Sequence, residues 1–229
     1  MTREPNLPAE VTGPDAGASL PSFSAQRDRE QAVLEASRAV VALFLRERSS
    51  NFSVRQLADC AGLSERTFYR YFPRKEDAIR PYVEAGLEHI LSRVQAAPRT
   101  RSLRDVLVAA HAEILDAARA HEGEALLTVL NETERLAAVW LQVVTEAETA
   151  FARIVAERLG IPADSLQARF AGGVVVTAGR LALQSAHSEA GTRTPSQVFA
   201  ECLDLLGPAL LDQRALAAAA ETDGAKRDG

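Results

Sequence analysis

The stretch "GLSERTFYRYFPRKE", residues 62–76, sets four aromatic rings, Phe68, Tyr69, Tyr71 and Phe72, among four basic side chains, Arg66, Arg70, Arg74 and Lys75. A core needs rings but not interleaved cations, and a solvated face tolerates cations but has no use for rings. Aromatics make up only 5% of the 229 residues, so the concentration is local rather than compositional. Gly62 suits the left-handed position that ends one helix, Ser64 suits the N-cap of the next, and Pro73 stops that second helix. Phe68 and Phe72 are four residues apart and share a face, which makes them inward anchors beside Leu57, Ala61 and Leu63. Tyr69, Tyr71 and Lys75 point elsewhere, and Glu65, Arg66 and Thr67 occupy the helix tip.

Just upstream, "SVRQLADCAG" reads as a short helix capped by Ser53. Two short helices joined by a Gly-containing turn form a helix-turn-helix. A DNA-reading helix divides its side chains three ways, into core anchors, phosphate grips and base readers. Arg66 can pair with guanine through two bonds, and Thr67 can meet a thymine methyl or a phosphate. The spacing alone also fits a surface helix with snorkelling arginines and partly buried tyrosines.

The whole chain carries −5, yet residues 26–75 hold ten Arg or Lys against six Asp or Glu. A basic module joined to an acidic body suits a protein that meets a polyanion with one part only. The two cysteines, Cys60 and Cys202, stand in apolar helical contexts and read as buried thiols in a reducing cytoplasm. The start "MTREPNLPAE" lacks the apolar centre of a signal peptide, and no run approaches the roughly 18 apolar residues of a membrane span. A cytoplasmic protein without membrane contact is expected.

Almost everything between the ends has helical periodicity and no strand alternates convincingly, so the fold class is all-α. Residues 1–24 read as a disordered arm, 25–75 as the helix-turn-helix domain, 76–215 as a helical effector-binding and dimerisation domain, and 216–229 as a flexible tail. The first helix, 26–47, turns Val33, Ala36, Val40 and Phe44 inward and Arg27, Glu30 and Arg38 elsewhere. Pro81 inside a helix over 74–97 implies a kink or a late start. Further helices are expected over 102–120, with Val106, Ala109, Ala110 and Ile114 inward, over 124–130, and over 134–159 with Leu136, Val139, Trp140, Val143 and Phe151. Another over 164–188 bears Leu166, Phe170, Val174, Thr177 and Leu181. "TPSQ", 194–197, opens the last, over 195–213, which carries Val198, Cys202, Leu205 and Ala209 and is disturbed by Gly207-Pro208.

The segment 53–79 resembles the DNA-binding signature of the TetR family of bacterial transcriptional regulators. Ser53, Leu57-Ala58, Ala61-Gly62, Leu63-Ser64, Phe68-Tyr69, Tyr71-Phe72 and Lys75-Glu76 carry the likeness. It departs from the family's usual Gly-aromatic pair before the second helix, which stands here as Asn51-Phe52. The resemblance implies double-stranded operator DNA as partner and a contacting set of Ser53, Arg55, Ser64, Glu65, Arg66, Thr67, Tyr69, Tyr71 and Lys75. Glu65 either accepts from a cytosine amino group or simply complements the helix dipole.

The same resemblance implies a homodimer whose last two helices form the interface, with Phe170, Val174, Leu181, Val198, Cys202 and Leu205 as candidates. Small residues Gly172, Gly173 and Ala178 would let helices approach closely; the alternative is that these stripes pack within one subunit. It also implies a pocket for a small apolar or amphipathic effector, with His111, Thr128, Asn131, Trp140, Phe151 and Phe170 as candidates that fit plain core as well. A repressor released by that effector is the expected function. The alternative is a regulator of the same kind that is governed by a protein partner or is constitutive. No catalytic motif or metal-ligand spacing is present, and histidines at 89, 111, 121 and 187 are scattered. Neither enzymatic activity nor a cofactor or metal is expected.

Overall fold

The computed structural model describes residues 23–116, 120–185, 193–205, 207 and 210–211, and among these every regular element is helical. The expected tail, Ala209 and all but the end of the expected arm lie outside the described residues. Phe23 and Ser24, assigned above to the arm, instead open helix α1 (Phe23–Glu47). Its inward stripe contains Ala36, Val40 and Phe44 as expected, with Val41 and Leu43 added.

Helix α2 (Val54–Cys60) starts at Ser53, whose hydroxyl accepts from the Gln56 amide while the Gln56 side chain accepts from the Ser53 amide. This reciprocal cap satisfies donors that a seven-residue helix has no other means to pair. Gly62, at φ +67°, makes the turn that an L side chain would strain. Helix α3 (Glu65–Tyr71) then starts at Ser64, which accepts from the Thr67 amide. Phe68 and Phe72 are fully buried edge to face, with centroids 5.0 Å apart. Pro81 produces a late start rather than a kink. A 3-10 segment, Lys75–Ile79, leads into α4 (Arg80–Ala96), and the proline falls in the first turn, where its missing N–H costs nothing. Buried Ser37 ties this junction to α1, donating to the Ala78 carbonyl (2.6 Å) and accepting from the Tyr82 amide (3.0 Å).

The body comprises α5 (Leu103–Leu115), α6 (Ala120–Leu130), α7 (Glu134–Leu159), α8 (Leu166–Ser185) and α9 (Pro195–Asp204). On α5 the buried face runs through Leu103, Leu107, His111 and Leu115 as well as Val106 and Ala110. Ala109, expected inward, is exposed and Ile114 is half-buried, because Leu103 and Leu107 rotate the stripe toward themselves. Gly160 ends α7 in the left-handed conformation. Thr194, Pro195 and Gln197 open α9 as a capping box with a first-turn proline, but α9 stops at Asp204, short of 213, ahead of Gly207 at φ +71°.

Helices α7 and α8 lie unusually close at Gly172, where an added Cβ would stand 2.8 Å from the Ala152 amide nitrogen and closer still to the Glu148 carbonyl oxygen. Gly172 and buried Ala178 therefore serve packing inside one chain, while Gly173 borders open space. Ala168, Ala171, Val175, Ala178 and Ala182 form the buried side of α8. The stripe of Leu166, Phe170 and Leu181 faces away from the chain, with Leu166 81% and Phe170 55% exposed.

Two apolar cores result. One fills the body around Phe151, Val155 and Phe199. The other joins α1, α2 and α3 to Leu127, Val129, Leu130 and Leu136 of α6 and α7, so the reading head shares its core with part of the body. The expectation of two buried thiols fails at Cys60. It is exposed, because α2 turns that side outward, and its Sγ–H donates to the Ala39 carbonyl at 3.3 Å.

Candidate nucleic-acid interface and effector cavity

The short helices α2 and α3 sort their side chains by function. Ser53 and Ser64 direct their hydroxyls to helix caps, and the Thr67 hydroxyl accepts from Ser64 Oγ at 3.1 Å. Arg55, Glu65, Arg66, Tyr69 and Arg70 project into solvent, and Tyr69 is 51% exposed. Neither Arg55 nor Arg66 has an ion-pair partner among the described residues, so both guanidinium forks stay available to an outside anion or base edge. Tyr71 is different. It is half-buried against Phe72 and lies beneath the Arg70 guanidinium, 5.4 Å from the ring centroid. Lys75 is also tied inward, since its Nζ donates to the Phe52 carbonyl at 3.1 Å and holds the loop before α2. Phe52 in turn stacks on Phe44, centroids 6.0 Å apart. Asn51 does not take up the left-handed freedom of a glycine here; Arg48 occupies that region at φ 51°.

A second set of contacts, unforeseen in the sequence, fastens the head to the body. Glu132, between α6 and α7, accepts from Ser49 Oγ (2.9 Å), Ser50 Oγ (2.6 Å) and the Ser50 amide (2.5 Å). The Ser50 hydroxyl is the main reason the Glu132 carboxyl sits below its ordinary pKa, with Lys75 adding a smaller attraction. Arg80, at the start of α4, pairs with Glu84 at 2.6 Å and with Glu146 of α7.

A cavity of about 490 Å³ opens between the helices, within the range of small-molecule sites. Of the six candidates, His111, Trp140 and Phe151 line it. The other three do not. Thr128 is exposed, Asn131 turns its amide back onto the Leu127 carbonyl (2.7 Å), and Phe170 is on the outward stripe of α8. Arg38, set off the inward stripe of α1 in the sequence reading, is exposed, and it also borders the cavity with Leu45 of α1, Tyr82, Gly179 and Arg180. A signal existed in the glycines: Gly86, Gly123 and Gly179 all border the space.

His111 is 4% exposed and stacks on Phe199, centroids 3.9 Å apart, with Phe151 on the same ring. Its Nδ1 lies 2.8 Å from the Leu107 carbonyl, which can only accept, so Nδ1 carries the proton and Nε2 keeps a bare lone pair. Burial lowers its pKa to about 4, opposed by that hydrogen bond. An unfolded histidine titrates near 6.5, so between those values the unfolded chain binds more protons and stability rises with pH. The contribution is complete above pH about 6.5 and is lost as pH falls toward 4, about 3 kcal/mol in all. His111→Phe is expected to flatten this part of the melting-temperature profile. A profile in the variant as steep as in the parent would show that other groups cause the acid loss.

No group of His, Cys, Asp and Glu among the described residues could hold a metal ion, and none of the described helices is long and apolar enough to cross a membrane. The sequence profile of "Bacterial regulatory proteins, tetR family" matches residues 39–79, the span from mid-α1 through α2 and α3 to the end of the 3-10 segment before α4. The chain is also 28% identical over 218 residues to the HTH-type transcriptional regulator TcmR of Streptomyces glaucescens, covering 90% of this chain and 94% of that protein. Residues 39–79 thus carry a DNA-binding segment of the TetR type. A crystal structure described as a transcriptional regulator from Pseudomonas aeruginosa PAO1 has the same TetR-like fold, with a TM-score of 0.55 at 16% identity over 82% of this chain and 92% of that one.

Proposed function

We propose that the chain is a TetR-family regulator that acts as a homodimeric repressor in the cytoplasm, and that a small molecule entering the cavity releases it from operator DNA. The carrying observation is the composition of the cavity wall. Arg38 and Leu45 belong to α1, the same helix whose Val40, Val41 and Phe44 anchor the reading head. A ligand against that wall cannot bind without favouring one placement of α1, and thereby one spacing of the two α3 helices. The Ser50–Glu132 contact and the Ser37 bridge supply further joints between the moving parts. In this reading Arg66, with Glu65 and Thr67, faces bases, while Arg55, Tyr69 and Arg70 face phosphates. Ser53 and Ser64 act as caps that present amides and arginines, and Lys75 and Tyr71 brace the helix from behind.

The dimer part rests on the outward stripe of α8. Leu166, Phe170 and Leu181, with Leu205 just beyond α9, are large apolar side chains left in solvent by a single chain. Val198 is instead buried in its own chain's core and Cys202 is half-buried against it, so the proposed seam runs through α8 more than α9.

Linkage makes release testable. An effector that weakens operator binding by some factor must itself bind the DNA complex more weakly by the same factor. Titrating a candidate inducer against Trp140 fluorescence, with and without saturating operator, should give two affinities whose ratio matches the loss in DNA affinity. Equal affinities would exclude simple induction and leave a regulator governed by a partner or not at all.

A further inference from the structure

The charges around the cavity are one-sided. Arg38 and Arg180 contribute guanidinium groups to its wall, and none of the described lining residues is acidic. Arg38 is exposed and has no polar partner among the described residues. Arg180 is half-buried, and its partner is a neutral amide, the Gln184 side-chain oxygen at 3.2 Å. By contrast, Arg80, Arg93, Arg99 and Arg104 each meet a carboxylate. Arg180, which gives up part of its hydration beside an apolar space, gains most from an anion brought into that space, and Arg38 borders the same space. The remaining wall supplies flat apolar surfaces in Trp140 and Phe151, together with the bare Nε2 lone pair of His111, which accepts from a hydroxyl.

We propose that the cavity takes an aromatic-ring ligand bearing an acidic group, a carboxylate, sulfonate or acidic phenol, whose anion is met by Arg38 of α1 and Arg180 of α8. This deepens the effector reading and rests on it. The anion supplies the recognition, and the rings supply the area. Because Arg38 stands one residue from Ser37, which bonds both to the Ala78 carbonyl and to the Tyr82 amide, the charged contact falls at the joint between α1 and α4.

The test uses two probes that differ by one charged group, 1-anilinonaphthalene-8-sulfonate and its uncharged counterpart N-phenyl-1-naphthylamine. The full-length chain has a single tryptophan, Trp140, and it lines the cavity, so quenching of its emission reports occupancy of this site. Arg38→Met and Arg180→Met keep apolar bulk and remove the charge. Arg180→Met is expected to weaken sulfonate binding about tenfold or more, the usual worth of a charge-assisted hydrogen bond, and Arg38→Met, at an exposed residue, about threefold, while both leave the neutral probe within about twofold. Arg38→Lys, which keeps the charge, should retain most of the sulfonate affinity. If Arg38→Met does not fold, Arg180→Met decides alone. Sulfonate affinity unchanged in the Met variants, or falling in step with the neutral probe, would overturn the assignment while leaving an effector cavity in place. Failure of both probes to quench Trp140 would overturn the assignment and the effector reading together.

Discussion

Phe170→Asp is expected to leave the chain helical but monomeric and to remove operator binding at concentrations that saturate the parent. Phe170 is 55% exposed on the outward stripe of α8, beside Leu166 at 81%, so the single chain gains nothing by holding these rings and branches in solvent. A second copy laid along the same stripe buries them. By two-fold symmetry one substitution then puts two carboxylates into that apolar seam. Leaving charges unpaired in an apolar interface costs at least about 3 kcal/mol, a factor of more than about a hundred in the dimer dissociation constant. A monomer presents one α3 helix to one half-site and loses the multiplied affinity of two linked contacts. Analytical ultracentrifugation decides the matter. An intact Phe170→Asp dimer would move the interface off α8.

The second large effect is at Arg66. It is exposed at the tip of α3 and unpaired among the described residues, so its guanidinium is free to form the two-bond pattern that guanine presents in the major groove. Arg66→Ala should cost about 1–3 kcal/mol per half-site on operator DNA and much less on random duplex. A dimer feels this twice. Arg55→Ala, by contrast, should weaken both duplexes alike and make the salt dependence shallower by about one counterion per subunit. Equal losses on both duplexes for Arg66→Ala would make Arg66 a phosphate clamp and pass base reading to Glu65, Thr67 or DNA shape.

Local chemistry explains which features were legible in the sequence. Ser53, Ser64, Thr194 and Gly160 announce helix ends because a cap needs only its own few neighbours, and each stands where the pattern put it. Phe68 and Phe72 were legible as anchors for the same reason: four residues apart, they share a face in any helix. Long-range partners were not. Ser50 meets Glu132 across 82 residues of sequence, and no local pattern marks either one. Arg38 looks like any polar residue on the outer face of α1 until α4 and α8 close a cavity beside it. Lys75 illustrates the intermediate case. Its place in the motif was visible, but its ammonium bonds to the Phe52 carbonyl, 23 residues away. On α8 the apolar stripe was read correctly as a stripe, yet small residues on the other side fill the core, since only they permit the approach at Gly172.

The most direct measurement of the central claim is selection of bound sequences from a pool of random duplexes by the full-length protein, repeated with Arg66→Ala. The account predicts enrichment of an inverted repeat whose half-sites are about one helical turn, or a multiple of it, apart, with information at a base position in each half that Arg66→Ala relaxes. A pool that stays random in sequence, or one in which the parent and Arg66→Ala enrich the same unrepeated motif equally, would contradict a dimer that reads DNA through α3.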